Sequence, residues 1–235
     1  MAAHQDKIDI YLESGQKRVL AVAIDWPGWC RRGKDDESAM EALLQAAPRY
    51  AQILRPTGLP FPTPNSPGQL RVRERVDGGA GVDMGIPSTV LASDAEPMKA
   101  TELELATKVL RAVWEAFEKA VESAKGKELR KGTRGGGREL EGIMRHVTEA
   151  ESAYVGMVGI KVRQDDLAEN ADARGALAAS HERVLEGLSA VAPIGTPPPG
   201  PRGGARWPAR YFVRRVAYHV VDHTWEIEDR LQPLE

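Results

Sequence analysis

The stretch 210–231, RYFVRRVAYHVVDHTWEIEDRL, constrains this chain more than any other. Phe212, Val216, His219, His223 and Ile227 recur at steps of three and four, the spacing of one face of an α-helix. Two histidines therefore stand inside an apolar stripe rather than on a wet face. Four residues apart, they are stacked by one helical turn within reach of a single ion. Glu226 follows three residues later on nearly the same face. Two inward histidines are either satisfied by hydrogen bonds in the core or held dry at a cost. A shared metal removes that cost, because neutral imidazole is the common ligand form. Both readings stay open from this stretch alone, and a metal needs at least a third ligand from elsewhere.

The chain has 235 residues, room for a helical bundle and a smaller domain. Its net charge of −2 gives no general attraction for nucleic acid or an anionic membrane. No apolar run approaches the length of a bilayer span, and the first residues lack the basic start and apolar core of a secretory signal. Cys30 is the single cysteine, so no internal disulfide forms. A cytoplasmic protein with a small-molecule substrate, and with no nucleic-acid or membrane partner, is the expectation.

At the N-terminal end, Ile8, Ile10 and Leu12 alternate with polar neighbours over 7–14, the pattern of a half-buried strand. Residues 18–25 form a second, more continuously apolar strand, and a turn at Gly15 and Gln16 pairs the two as a hairpin. Pro27 and Gly28 end the second strand, and Cys30 falls in the turn that follows. Asp35 or Asp36 caps a helix whose apolar positions run from Ala39 through Leu43 and Tyr50 to Leu54, with Pro48 placed to kink or split it. Asp25-Trp26-Pro27-Gly28 after a strand, then Gly33, then Glu37-Ser38-Ala39 opening a helix, resemble a HicB-like domain over roughly the first 55 residues. HicB proteins are antitoxins that usually carry a separate DNA-binding module, and no helix-turn-helix or ribbon-helix-helix pattern is present here. The resemblance thus implies a small αβ interaction or ligand-sensing module. The first strand, if it lies at a sheet edge, favours a homodimer, and Trp26 and Trp29 are candidates for a contact between domains.

From Pro56 to Pro97 proline and glycine dominate. Residues 69–76 alternate and add a strand, and Ser88–Leu91 suggests another short one. The glycines of 77–85 lack the strand-then-helix setting of a phosphate loop. Four amphipathic helices follow, over about 97–124, 138–160, 170–191 and 210–231, with a basic glycine-rich connection at 126–137 and a proline-rich turn at 193–208. The inward positions of the second are Ile143, His146, Ala150, Ala153 or Tyr154, and Met157. Those of the third are Leu177, His181, Val184, Leu188 and Val191. The fold class expected is α+β, with an αβ domain over 1–95 and a four-helix bundle over 96–235.

His146 supplies the missing ligand, since bundle sites are made by inward side chains of facing helices. His146, His219 and His223 give three nitrogens around one ion and leave positions open for water or substrate. His146 in GIMRHVTEAE together with the pair in HVVDHTWEIEDR resembles the DinB superfamily of four-helix-bundle metalloproteins, over about 97–233. That resemblance implies a divalent metal ion, zinc or nickel among others, held by this triad. Some relatives are thiol-dependent transferases or isomerases, so a low-molecular-weight thiol is the implied co-substrate. A metal-dependent hydrolase would use the same three ligands, and a non-catalytic metal-bearing binding protein is the further alternative.

Other candidates surround the triad. Glu226 and Glu149 are placed to orient a ligating ring, and Glu226 is the candidate acid or base. Arg145 and Arg214 suit a carboxylate of the substrate, as do Arg138, Arg210 and Arg215. Tyr154 and His181 are candidate pocket residues.

Overall fold

The computed structural model describes residues 7–131, 137–161 and 172–231, which fold as an α+β chain. The expected turn residues 132–136, the expected start of a helix at Asn170, and His4 lie outside the described residues. Two compact units divide the chain, Met1–Val90 and Leu91–Glu235.

The first unit is a mixed sheet with one long helix. Strands β1 (Ile8–Ser14) and β2 (Val19–Ala23) pair antiparallel, as the turn at 15–16 requires. Strand β4 (Leu70–Asp77) pairs parallel with β1. The order is β3-β2-β1-β4, where β3 is Cys30–Gly33. β1 is therefore an interior strand, and the edge that would invite pairing belongs to β3 and β4. Cys30 stands in a strand, buried, rather than in a turn.

Helix α1 (Asp36–Leu54) is capped by Asp35, whose carboxylate accepts from the Ser38 backbone N–H at 2.9 Å. It passes Pro48 without a break. Gly33 sits where α1 begins: a Cβ there would lie 2.2 Å from the Ala39 nitrogen, so only glycine allows the approach. Trp29, fully buried, stacks on Tyr50 with centroids 6.2 Å apart and donates its indole N–H to the Leu43 carbonyl at 2.9 Å. Trp26 meets Phe61 edge-on at 5.0 Å. Trp29 thus serves this unit's own core, and the half-buried Trp26 packs at its border.

Ser88–Leu91 is not a strand. Ser88 and Thr89 instead converge on the buried carboxylate of Glu13: the Ser88 N–H, the Ser88 hydroxyl and the Thr89 hydroxyl donate to Oε1 at 2.9, 2.8 and 2.8 Å. A carboxylate that must be buried is satisfied by neutral donors, and those donors tie down the segment after the short helix α2 (Ala80–Asp83).

The second unit packs four helices, α3 (Ala100–Ala124), α4 (Leu140–Met157), α5 (Ala173–Val191) and α6 (Ala209–Leu231). α3 lies mainly on α6, and α4 on α5, with α4 also along α6. α3 starts at Ala100, beyond Pro97, where Glu102 accepts from the Lys99 N–H at 2.7 Å. Its buried stripe includes Ala106, Leu110, Val113 and Phe117. The α5 stripe is the one its periodicity suggests, from Leu177 through Val191. The α4 stripe is rotated by one position: Ile143, Val147, Glu151 and Val155 are buried, whereas Ala153 and Met157 face out. Among the described residues no helix is long and apolar enough to cross a membrane.

Candidate metal centre

α6 buries most of its circumference, from Tyr211 through Ile227. Its step-of-four series Arg215, His219, His223 runs along the seam with α4. From α4 the seam receives His146 and, two turns on, Tyr154. His146 stands at the border of the α4 core stripe rather than in it, half-exposed. That position lets its ring reach α6 while remaining open to solvent.

The three histidines meet. One nitrogen from each of His146, His219 and His223 lies within 4.8 Å of the others, and the Nε2 atoms of His146 and His219 are 3.2 Å apart. Ring centroids are 5.0 Å for His146–His219, 5.0 Å for His146–His223 and 4.6 Å for His219–His223. Tetrahedral ligation at about 2.0–2.1 Å separates ligand nitrogens by roughly 3.3 Å. The closest pair already has that spacing, so the donor set fits a divalent ion.

Burial and nearby charge favour the neutral form of His146 and His219. Burial, then the charges of His223, His146, Arg215 and Arg138, pushes His219 down to about 2. Burial and Arg138 likewise lower His146. His219 Nδ1 is buried with no hydrogen-bond partner. The N–H at His223 Nδ1 donates to Glu226 Oε2 at 2.7 Å, which turns Nε2 of the ring toward metal ligation. That hydrogen bond, ahead of the effects of Arg230, holds Glu226 below the usual carboxylate range. Arg230 donates to Glu226 Oε1 at 2.9 Å and to the carbonyls of Arg130 and Arg138 at 2.6 and 2.7 Å. Both Glu226 oxygens are thus engaged, and its place is behind His223.

The other expected residues divide. Tyr154 stands in the seam, 5.8 Å from the His219 ring. Arg145 is exposed, as is Glu149. Arg214, 3% exposed, is committed to Asp94 through two bonds of 2.7 and 2.5 Å, and so braces the turn before α3 against α6 instead of meeting a ligand. His181 is buried and stacked on Trp114 at 4.2 Å, with burial lowering it to about 3.

Glu151 was not legible as a site residue. It is fully buried, accepting from the Trp114 indole at 2.8 Å and the Ser180 hydroxyl at 2.7 Å, with His181 Nε2 at 3.9 Å. Burial, against those two hydrogen bonds, raises it to about 7. The signal was present: 143, 147, 151 and 155 form one step-of-four series, and counting from Ile143 rather than His146 puts the glutamate inside.

A helical unit with a cluster of three imidazoles, one backed by a carboxylate, defines a class of candidate metal-binding bundles. The family model of the DinB superfamily matches residues 109–227, and the chain belongs to that superfamily. No curated protein and no solved structure matches the chain. The HicB likeness of the N-terminal unit finds no support in these comparisons.

Proposed function

We propose that this chain is a divalent-metal-dependent enzyme acting on a small molecule in the α4–α6 seam, with His146, His219 and His223 as ligands. The observation that carries the reading is the convergence of three imidazole nitrogens from two helices. A bound zinc or nickel ion would act there as a Lewis acid and lower the pKa of a water or thiol brought to it.

The chain's own residues have separable tasks. Glu226 fixes the His223 tautomer and orientation, and Arg230 fixes Glu226. Tyr154 keeps its phenolic proton, since burial raises it. His146, at the border of the α4 stripe and only partly buried, leaves an approach from solvent. By the resemblance to thiol-dependent members of that superfamily, we put first a thiol-dependent transfer with a low-molecular-weight thiol as co-substrate. Hydrolysis with the same ligands is the competing reaction.

Elemental analysis of the purified chain, beside a His219→Ala, His223→Ala double variant, tests the proposal. About one divalent ion per chain is expected in the parent and none in the variant. A parent that carries no ion, and takes up neither zinc nor nickel, overturns it. Turnover assays of the loaded parent with and without an added thiol then separate transfer from hydrolysis.

A further inference from the structure

Arg215 lies one helical turn before His219 and is 8% exposed. Its NH2 group donates to the Tyr154 hydroxyl at 2.9 Å, and its guanidinium lies 5.1 Å from the Tyr154 ring centroid and 6.0 Å from that of Trp207. Its NH1 group is buried with no hydrogen-bond partner. No carboxylate pairs with Arg215 among the described residues. Glu151 acts on Tyr154 through its charge, but its oxygens accept from Trp114 and Ser180. The neighbouring Arg214 and Arg210 both have carboxylates, Asp94 and Glu102. A buried guanidinium is costly unless something anionic meets it. Here two aromatic faces hold the fork in place, and the Tyr154 hydroxyl, while accepting from Arg215, keeps its own hydrogen to donate.

We propose that Arg215, with Tyr154, is an anion-binding site of the seam, and that it holds a carboxylate or phosphate of the substrate one helical turn from the three histidines. The guanidinium fork matches two oxygens of such a group. The substrate class is then a small anion whose reacting atom lies some 6 Å from its anionic end, the rise of four helical residues. The placement beside a metal rests on the proposed function; the anion site itself does not.

The test is calorimetric titration of the full-length chain, metal-free and zinc-loaded, with succinate and separately with inorganic phosphate. Metal content is measured in every sample. The parent is expected to bind one of the two, and the one bound tells carboxylate from phosphate. Arg215→Gln is expected to weaken that binding about tenfold or more with metal content unchanged. Equal affinity in Arg215→Gln overturns the proposal, as does a parent that binds neither probe at about 10 mM. If circular dichroism shows that variant unfolded, Arg215→Lys is read instead. It keeps the charge and loses the fork, so weaker binding supports the site and parent-like binding overturns it. Anion binding that depends on Arg215 in a chain unable to take up metal would leave this inference standing and remove the metal reading.

Discussion

His146 Nε2 and His219 Nε2 face each other at 3.2 Å across two helices, in a place where both rings are held neutral. Without an ion, at most one of these atoms carries a hydrogen to give the other. An ion accepts both lone pairs at once, and His223 adds a third. Binding that selects the folded chain stabilises it by mass action, by about 2.7 kcal/mol with the ion a hundredfold above its dissociation constant. Thermal melts are expected to rise with added zinc in the parent and to stay unchanged in His146→Ala. A zinc-dependent rise of the same size in that variant would place the ion elsewhere.

Glu226 acts on the site through His223. Replacing it by glutamine keeps the shape but removes the charge that holds the Nδ1–H. Metal affinity is expected to fall about 10–100-fold, with the stoichiometry of one ion retained at saturation. Competition with a chromophoric chelator measures this. If Glu226 were itself the acid or base, the variant would keep parent affinity and lose only turnover.

Much of this was visible in residue spacing, and what was not has physical reasons. The His219–His223 stripe, its apolar neighbours and the partner His146 follow from helical periodicity alone. The rotation of α4 does not: a stripe drawn through His146 and Ala150 runs one position off the buried one, which His146 only borders, and that offset hides Glu151. In the N-terminal unit, β1 and β2 followed from alternation, whereas β3 is only four residues long and carries two arginines, so no hydrophobic pattern announces it. The β-formers of Ser88–Leu91 suggest a strand, but the Ser88 and Thr89 hydroxyls are drawn instead to the buried side chain of Glu13. The roles of Arg214 and Arg215 are indistinguishable in sequence, being adjacent and both inward. Only the position of Asp94 separates a strut from an open cation.

Glu151 makes the second unit's stability depend on pH. Its folded pKa of about 7 lies above the ordinary 4.5, so the folded state holds the proton more tightly than the unfolded one. That contribution is fully present below about 4.5 and is lost as pH rises through about 7, on the order of a few kcal/mol in all. Glu151→Gln keeps acceptor and shape without a charge to bury. Compared with the parent in urea at pH 5 and pH 8, the variant is expected to gain stability at the higher pH. A difference between the two proteins that does not change with pH would mean that Glu151 is ionised in the fold throughout.

Asp94 and Arg214 supply the last prediction. The pair is almost fully buried, at 0% and 3% exposure, and Asp94 also accepts from the Leu91 N–H at 2.8 Å. Removing one member leaves the other charge dry and unpaired, which costs about 3–5 kcal/mol. Removing both restores much of that, because apolar groups of similar volume need no desolvation. Asp94→Ala is therefore expected to lower the free energy of unfolding by that amount. Asp94→Leu with Arg214→Met is expected to come back to within about 1–2 kcal/mol of the parent, the remainder being the lost Leu91 hydrogen bond. Trp114, Trp207 and Trp225 lie in the Leu91–Glu235 unit and Trp26 and Trp29 in the other, so the fluorescence transition that moves with these substitutions in a denaturant series is the one that reports its unfolding. A double variant no more stable than Asp94→Ala would show that the pair holds the turn before α3 by geometry rather than by compensating charge.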